Sequence, residues 1–366
     1  MATFSLQFPP AKFSTLGESG VIRREILSCR RIPGSLRVLP HASTSSEVGI
    51  LEKPRWIGET PLSRLVGALI GFKPLFNIMK YFARQVLIRT AEKSNFPWNE
   101  MAKEILESNV YEEMDKVRDS NLVYPDYYLK PFHAYSEGNL SWLAAAEAEA
   151  ATMTMAKRAF PDVSSIYEAN SILRKKWLQT IEKHILQYSG NTAVNDVLDI
   201  GCSVGMSTSY LASQFPTANV VGLDLSPYFI AVAQFKDNKK ISESKKVTWI
   251  HANAESTGLP SNSFDLVSIS YMFHECPARA TKAVLKEAYR LIRSKGTIAV
   301  TDNSPKSKTI QNLPPSLFTL MKSTEPFLDE FYLLDLDETM REAGFENVNS
   351  VFINPRHITV TGTVEK

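Results

Sequence analysis

The sequence is poor in the residues that staple or ligate. Its 366 residues include three cysteines and six histidines. Cys29, Cys202 and Cys276 show no paired spacing, which excludes a disulfide framework and a cysteine-based zinc site. No metal site is expected. Charge of neither sign dominates, with 41 basic and 39 acidic residues and a formal net charge of +2, so nothing global predicts a nucleic-acid partner. Long apolar runs are missing as well. Residues 61–91, apolar and cationic, are interrupted by Lys73-Pro74 and Lys80, and the ~20 residues that a spanning helix needs are not found there.

What is present centres on Val197-Leu-Asp-Ile-Gly-Cys-Ser-Val-Gly205. Val197, Leu198 and Ile200 form a β-branched, apolar run suited to a buried parallel strand, and helical spacing begins at Met206. Gly201 and Gly205 allow backbone angles closed to other residues and let a ligand approach the main chain. The next strand, Asn219 to Asp224, ends in a carboxylate about twenty residues past the glycines, where doubly wound sheets hold ribose hydroxyls. A dinucleotide site would need Gly-x-Gly-x-x-Gly, and Ser203 and the Met206-Ser207 pair depart from it. Gly201-Cys-Ser203-Val-Gly205 also spells a nucleophile elbow with Ser203 as nucleophile. A hydrolase, however, needs strands and an oxyanion loop before its elbow. The residues before 196 read as helix, without a His-Gly-Gly-Gly-type loop.

Further landmarks follow in order. They are His251-Ala-Asn253-Ala254-Glu255, Leu259-Pro260, Ser263-Phe264-Asp265-Leu-Val267, and Ala288-Tyr-Arg290-Leu-Ile-Arg293-Ser-Lys-Gly296 leading into Thr297-Ile-Ala-Val-Thr301. Over residues 160–366 the chain resembles the class I (Rossmann-like) S-adenosylmethionine-dependent methyltransferases. The similarity is to the small-molecule branch with the ubiquinone/menaquinone methyltransferases and plant plastid relatives. The resemblance implies a seven-stranded, mostly parallel, doubly wound α/β sheet with S-adenosylmethionine as cofactor. It assigns cofactor contacts to Asp199, Gly201, Ser203, Gly205, Asp224, Leu225, Asn253, Ala254 and Tyr271. Ser203 replaces the middle glycine of the family's turn. Asn253 stands where the family has Asp, and its amide oxygen retains the acceptor that receives the adenine amino group. A non-catalytic binding protein of this fold and a serine hydrolase using Ser203 remain as alternatives.

Strands are predicted near 196–200, 220–224, 247–251, 264–270, 297–302, 348–353 and 357–364, the last two without a helix between them and fitting an antiparallel addition. Ser294-Lys295-Gly296 is read as a helix-to-strand turn, and Lys236–Lys246 as a solvated loop. Residues 1–45 are cationic, rich in Ser and Thr and poor in acid. They are expected to be a cleaved transit peptide for the chloroplast, with the mitochondrion as alternative. Residues 46–160 form a helical N-terminal extension and lid, and 161–366 the methyltransferase domain. Within the extension, Leu75, Ile78, Met79, Phe82 and Val86 share one helical stripe, with Lys73, Asn77, Lys80 and Arg84 opposite. A basic amphipathic helix over 61–91 is therefore expected, either packed on the protein or in peripheral contact with a membrane. A charged helical stretch is predicted over Asn95–Val123, and helices over Ala144–Arg158 and Ser165–Gln187. Tyr124 to Trp142 is aromatic, broken by Pro and Gly, and reads as a lid.

Methyl transfer from a sulfonium is an in-line displacement and rests largely on alignment. A base is needed only when the acceptor loses a proton. His274, in the loop after the fourth strand, is the candidate, with Asp302 and Tyr271 behind it. A cap or cofactor contact is the plainer role for His274. The acceptor is expected to be a small apolar or aromatic molecule such as a plastid lipid, quinone or phenol. It would be lined by the lid and by Asn303–Tyr332, with Phe318, Met321, Phe327, Phe331 and Tyr332.

Overall fold

A computed structural model describes residues 61–366 apart from 62–63, 66–67, 69–71, 132, 134, 191–192 and 240–246. By contacts the chain divides after Ser45, and the expected transit peptide lies outside the described residues. The helices α1 (Lys73–Lys93), α2 (Trp98–Leu106), α3 (Tyr111–Val117), α4 (Trp142–Ala159) and α5 (Ile166–Tyr188) come first. The sheet half follows as β1 (Asp196–Ile200), α6 (Met206–Gln214), β2 (Asn219–Asp224), α7 (Pro227–Asn238), β3 (Thr248–His251), β4 (Phe264–Ser270) and α8 (Ala278–Leu291). Then come β5 (Ile292–Asn303), α9 (Lys308–Gln311), α10 (Pro315–Thr324), α11 (Leu328–Leu333), α12 (Leu336–Glu342), β6 (Glu346–Phe352) and β7 (His357–Thr363).

The seven strands lie in the order β3-β2-β1-β4-β5-β7-β6. β1 to β5 are parallel, while β7 runs antiparallel to β5 and β6 antiparallel to β7. The central strands are buried on both faces, as their unbroken apolar runs require. In β1, Val197, Leu198 and Ile200 have no solvent exposure. The strand order reverses between β1 and β4, and that switch point opens a crevice at the carboxyl ends of the strands where the site forms.

Several local expectations need correction. The stretch 95–123 is two helices, because Ser108 Oγ donates to Ile105 O and accepts the Val110 N–H, ending α2. A side chain thus competes with the helical ladder. Ser294-Lys295-Gly296 is not a turn before the strand: β5 starts at Ile292 and carries a bulge, with Lys295 at φ 64° and a register shift against β4. Lys236 belongs to α7 and pairs with Glu149 at 2.5 Å rather than lying in a loop. On α1 the cationic stripe does not face solvent as a whole. Lys80 is buried and Arg84 pairs with Glu147, whereas Ile78 and Phe82 are exposed. The side chains of residues 73–77 are outside the described ones. α1 packs on α4 and α10, and that contact decides which stripe turns inward. Among the described residues no helix is long and apolar enough to cross a membrane.

Candidate active site

The turn after β1 is built around two buried carboxylates. Asp199 is fully buried, and its Oδ2 accepts hydrogen bonds from Ser207 Oγ (2.6 Å) and Thr208 Oγ1 (2.7 Å) at the start of α6. Those bonds tie strand end to helix start. Asp224, at the end of β2, accepts the Ser203 N–H on Oδ2 and the Ser226 N–H on Oδ1, both at 2.8 Å. Ser203 takes left-handed backbone angles (φ 50°), which carry its N–H toward β2. Gly205 is also left-handed (φ 81°), and a Cβ there would lie 2.5 Å from the Trp249 ring. At Gly201 a Cβ would meet Met272 Sδ at 2.7 Å. Both positions therefore require glycine.

Above this turn lies a cavity of about 380 Å³. Gly201, Ser203, Asp224, Leu225, Asn253, Ala254 and Tyr271, all nominated from sequence, line it. Asp199 and Gly205 do not; they shape the turn from beneath. Asn253 Oδ1 already accepts the Glu255 N–H at 2.9 Å, which leaves the oxygen one lone pair for an adenine amino group. Ser203 has no histidine partner among the described residues, so the elbow lacks a base.

The lid closes over this site through specific bonds. Tyr127 OH donates to Glu255 Oε1 (2.9 Å), Ser226 Oγ donates to Asn139 O (2.7 Å), and the Asp119 N–H donates to His251 Nδ1 (2.9 Å). Tyr127, Tyr128, His133, Tyr135 and Asn139 all reach the cavity wall. The insertion after β5 contributes differently from expectation. Met321 lines the cavity, joined by Leu313, Leu317, Thr324 and Glu325. Phe318, Phe331 and Tyr332 instead fill the core, and Phe327 packs edge-on against Tyr127 at 6.0 Å. Residue type alone does not separate a core aromatic from a cavity-lining one.

One part of the cavity wall is a cluster of titratable side chains. His274 Nδ1 is 2.7 Å from Asp302 Oδ1, and Asp302 Oδ2 accepts the His274 N–H at 3.2 Å. Burial opposes the imidazolium, yet Asp302, Glu325 and Glu275 outweigh it and raise His274 to about 9. His133 Nε2 lies 3.1 Å from both Glu275 Oε1 and Glu325 Oε1. Burial likewise opposes its charge, and those two carboxylates push it well above its usual range. Asn139 Nδ2 donates to Glu275 Oε2 at 3.0 Å. Of this group sequence reasoning named only His274 and Asp302. His133, Glu275 and Glu325 come from lid, loop and insertion, and no spacing signal links them.

Arg174 was also missed. Helical periodicity put it in α5, and only the fold shows it 3 % exposed, on the cavity wall, with its guanidinium over the rings of Trp177 (5.5 Å) and Tyr210 (5.6 Å). Burial lowers its pKa, and Asp199 is among the groups that oppose this. Its Nε has no hydrogen-bond partner, nor do Ser270 Oγ and Tyr271 OH on the same wall. Buried polar atoms without partners mark where a ligand supplies them. A carboxylate for Arg174, a diol for Asp224 and an amine for Asn253 are the functional groups of S-adenosylmethionine, and the glycine turn leaves its main chain open to them.

The methyltransferase-domain family matches residues 198–300. Demethylmenaquinone methyltransferase of Lactococcus lactis is 27% identical over 181 residues, covering 49% of this chain and 69% of the relative. The enzyme of the same name from Oceanobacillus iheyensis is 30% identical over 151 residues, 40% of this chain and 60% of the relative. That from Anoxybacillus flavithermus is 27% identical over 218 residues, 52% of this chain and 87% of the relative. The shared part is thus 60 to 87% of these three relatives. A crystal structure of human N-acetylserotonin methyltransferase aligns at a TM-score of 0.44 with 13% identity, over 70% of this chain and 67% of that one. The strand order reversed between β1 and β4, the glycine turn with a carboxylate at the end of β2, and the methyltransferase-domain match over 198–300 support a class I S-adenosylmethionine-dependent methyltransferase similar to the quinone methyltransferases.

Proposed function

We propose that this enzyme methylates a quinol or phenol with an apolar body, delivered from a membrane surface. The observation that carries the reading is the polarity of the cavity. Asp224 and Arg174 stand in the cofactor half, Val86, Leu87, Leu313, Leu317 and Met321 form apolar wall, and His274 with its carboxylate neighbours makes one polar pole. An apolar ring with a hydroxyl at one end matches that distribution. S-adenosylmethionine supplies an electrophilic sulfonium methyl when bound. Arg174, Asp224 and Asn253 would hold its carboxylate, ribose diol and adenine amino group. His274, held by Asp302, faces the acceptor's hydroxyl; its carboxylate neighbours raise it to about 9, so it takes the acceptor's proton in its neutral form, whose share grows as pH rises toward that value. The lid excludes water and keeps acceptor and methyl in line. The demethylmenaquinone relatives favour a quinol over other phenols.

The surface of α1 supports delivery from lipid. Phe72, Ile78, Tyr81 and Phe82 are 61%, 51%, 60% and 52% exposed, and Ala83, Arg84, Val86 and Leu87 of the same helix line the cavity. An apolar face that continues into a cavity wall suits an interfacial helix passing its substrate inward. The cationic, serine-rich residues 1–45 support a plastid address, which import of the full chain into isolated chloroplasts tests. The direct assay of the reaction uses methyl-labelled S-adenosylmethionine with demethylated prenyl quinols and simple phenols. Label should enter the quinol with the wild type and be lost with His274→Ala, whose affinity for S-adenosylhomocysteine stays intact. Transfer unaffected by His274→Ala refutes the assigned pole.

A further inference from the structure

The polar pole converges more tightly than an acceptor-binding patch requires. Ligand atoms of His133, His274 and Glu325 all lie within 4.8 Å of one another, although the residues belong to the lid, the loop after β4 and the insertion after β5. We infer that His133, His274 and Glu325 form a binding site for a divalent transition-metal ion. Four features support the inference.

Donor distance comes first. His133 Nε2 and Glu325 Oε1 are 3.1 Å apart, close to the separation of two ligands on a tetrahedral ion with bonds of about 2.1 Å. Glu275 Oε1, also 3.1 Å from His133 Nε2, is a fourth donor within reach. The second is orientation. His274 engages Asp302 through Nδ1 at 2.7 Å, which leaves Nε2 as its ligand atom, and Asn139 Nδ2 holds Glu275 Oε2. Carboxylate-to-histidine support of this kind is how proteins aim metal ligands. Third, Glu325 is 9 % exposed, and its Oε2 is buried without any partner. A buried carboxylate oxygen left unsatisfied is costly unless something absent from the polypeptide occupies it. The fourth is donor chemistry. Two imidazoles with one or two carboxylates suit zinc, cobalt, iron or manganese, whereas magnesium and calcium favour oxygen alone.

The site would sit in the cavity wall, and an ion bound there would take the free nitrogen of His274 and replace that histidine as the group that receives a phenolic or quinol oxygen. That role rests on the proposed acceptor, but the binding itself does not. It also makes the lid part of the site, since His133 is the lid's contribution and its main-chain N–H is bonded to Thr324 O at 3.1 Å, one residue from Glu325. An ion would then fasten lid to insertion.

The test uses full-length protein stripped with a chelator and desalted. Titration with Co²⁺, followed by its visible ligand-field absorption and by displacement with Zn²⁺, should saturate at one ion per chain with a tetrahedral or five-coordinate spectrum. Glu325→Gln and His133→Asn should each weaken binding by more than about 100-fold, since loss of a support behind a ligand alone costs 10–100-fold. Calorimetry with S-adenosylhomocysteine on the same samples reports whether each variant is folded, and separates the two claims. Failure of cofactor binding in the wild type sinks the methyltransferase reading and leaves the metal result standing. Absence of saturable Co²⁺ binding in the wild type, or binding that survives both substitutions in variants that still bind cofactor, overturns the metal site.

Discussion

Replacing Asp224 by Asn tests the centre of the site with almost no change of shape. Both carboxylate oxygens already accept a main-chain N–H, from Ser203 and Ser226 at 2.8 Å, and their remaining lone pairs face the cavity. The amide turns one acceptor into a donor, which sets N–H against N–H at one of those bonds and removes the charge that would receive the ribose diol. Hydrogen bonds to a charged group are each worth about 1.5–3 kcal/mol. Losing about 3 kcal/mol of cofactor binding corresponds to roughly a 100-fold rise in Kd. Isothermal titration with S-adenosylhomocysteine measures it directly. A variant that binds within threefold of wild type refutes the assignment of Asp224 to the ribose. The pH dependence gives an independent check. Burial is the largest influence on Asp224 and raises its pKa from 3.8 to about 7, against the Ser226 and Ser203 N–H groups that favour the anion. Because the folded value lies above the unfolded one, the folded cofactor-free chain binds the extra proton between pH 4 and 7. Its stability should therefore fall as pH rises through that window and level off above 7. The upper bound of the effect is about 4 kcal/mol, three units at ~1.4 kcal/mol each. Thermal scans from pH 5 to 8 should show this slope in the wild type and its absence in the Asn variant. Cofactor affinity should instead rise with pH toward 7, as the diol binds the anion.

Gly205→Ala forces a Cβ against Trp249 at a φ of 81°, and we expect a loss of about 2–4 kcal/mol in chemical denaturation together with weaker cofactor binding. An unchanged midpoint would show that the turn tolerates a side chain. Arg174→Met, close in volume, should leave the fold intact and weaken S-adenosylhomocysteine binding by about 10- to 100-fold, but barely alter binding of adenosine, which has no carboxylate. Equal losses for both ligands would place Arg174 elsewhere than at the carboxylate. The triple change Ile78→Ser, Tyr81→Ser, Phe82→Ser should reduce sedimentation with anionic vesicles several-fold and raise KM for a vesicle-borne quinol, with little change for a soluble phenol. Vesicle binding that persists would remove α1 from the interface. Tyr127→Phe deletes the bond to Glu255 and should loosen the lid, raising amide exchange in 124–142. Protection identical to wild type would show the lid is held by packing alone.

The sheet was readable in outline because its central strands are buried on both faces and therefore written as apolar runs between glycines and turns. The seven predicted strands are the seven observed, and the pair without an intervening helix is the antiparallel edge. Misreadings occurred where a single side chain or a tertiary contact overrides the periodic pattern. Ser108 breaks a helix that charge spacing would continue, and the two stripes of α1 are both plausible outward faces until α4 and α10 cover one of them. Phe318, Phe331 and Tyr332 are apolar enough for either a core or a cavity wall, and packing of the insertion assigned them to the core.

The sequence by itself determined the cofactor half. Gly201, Ser203 and Gly205 are near neighbours in the chain, Asp224 follows one strand later, and the geometry between them is set by a single strand–turn–helix–strand unit whose local rules are strong. The titratable cluster was decided only in three dimensions. His133, Glu275 and Glu325 meet there from three segments that share no local structure, and each taken alone is an ordinary surface-type residue. Their burial together comes from closure of the lid on the insertion. A local pattern encodes short-range geometry, while a cluster drawn from distant segments exists only once the chain has folded.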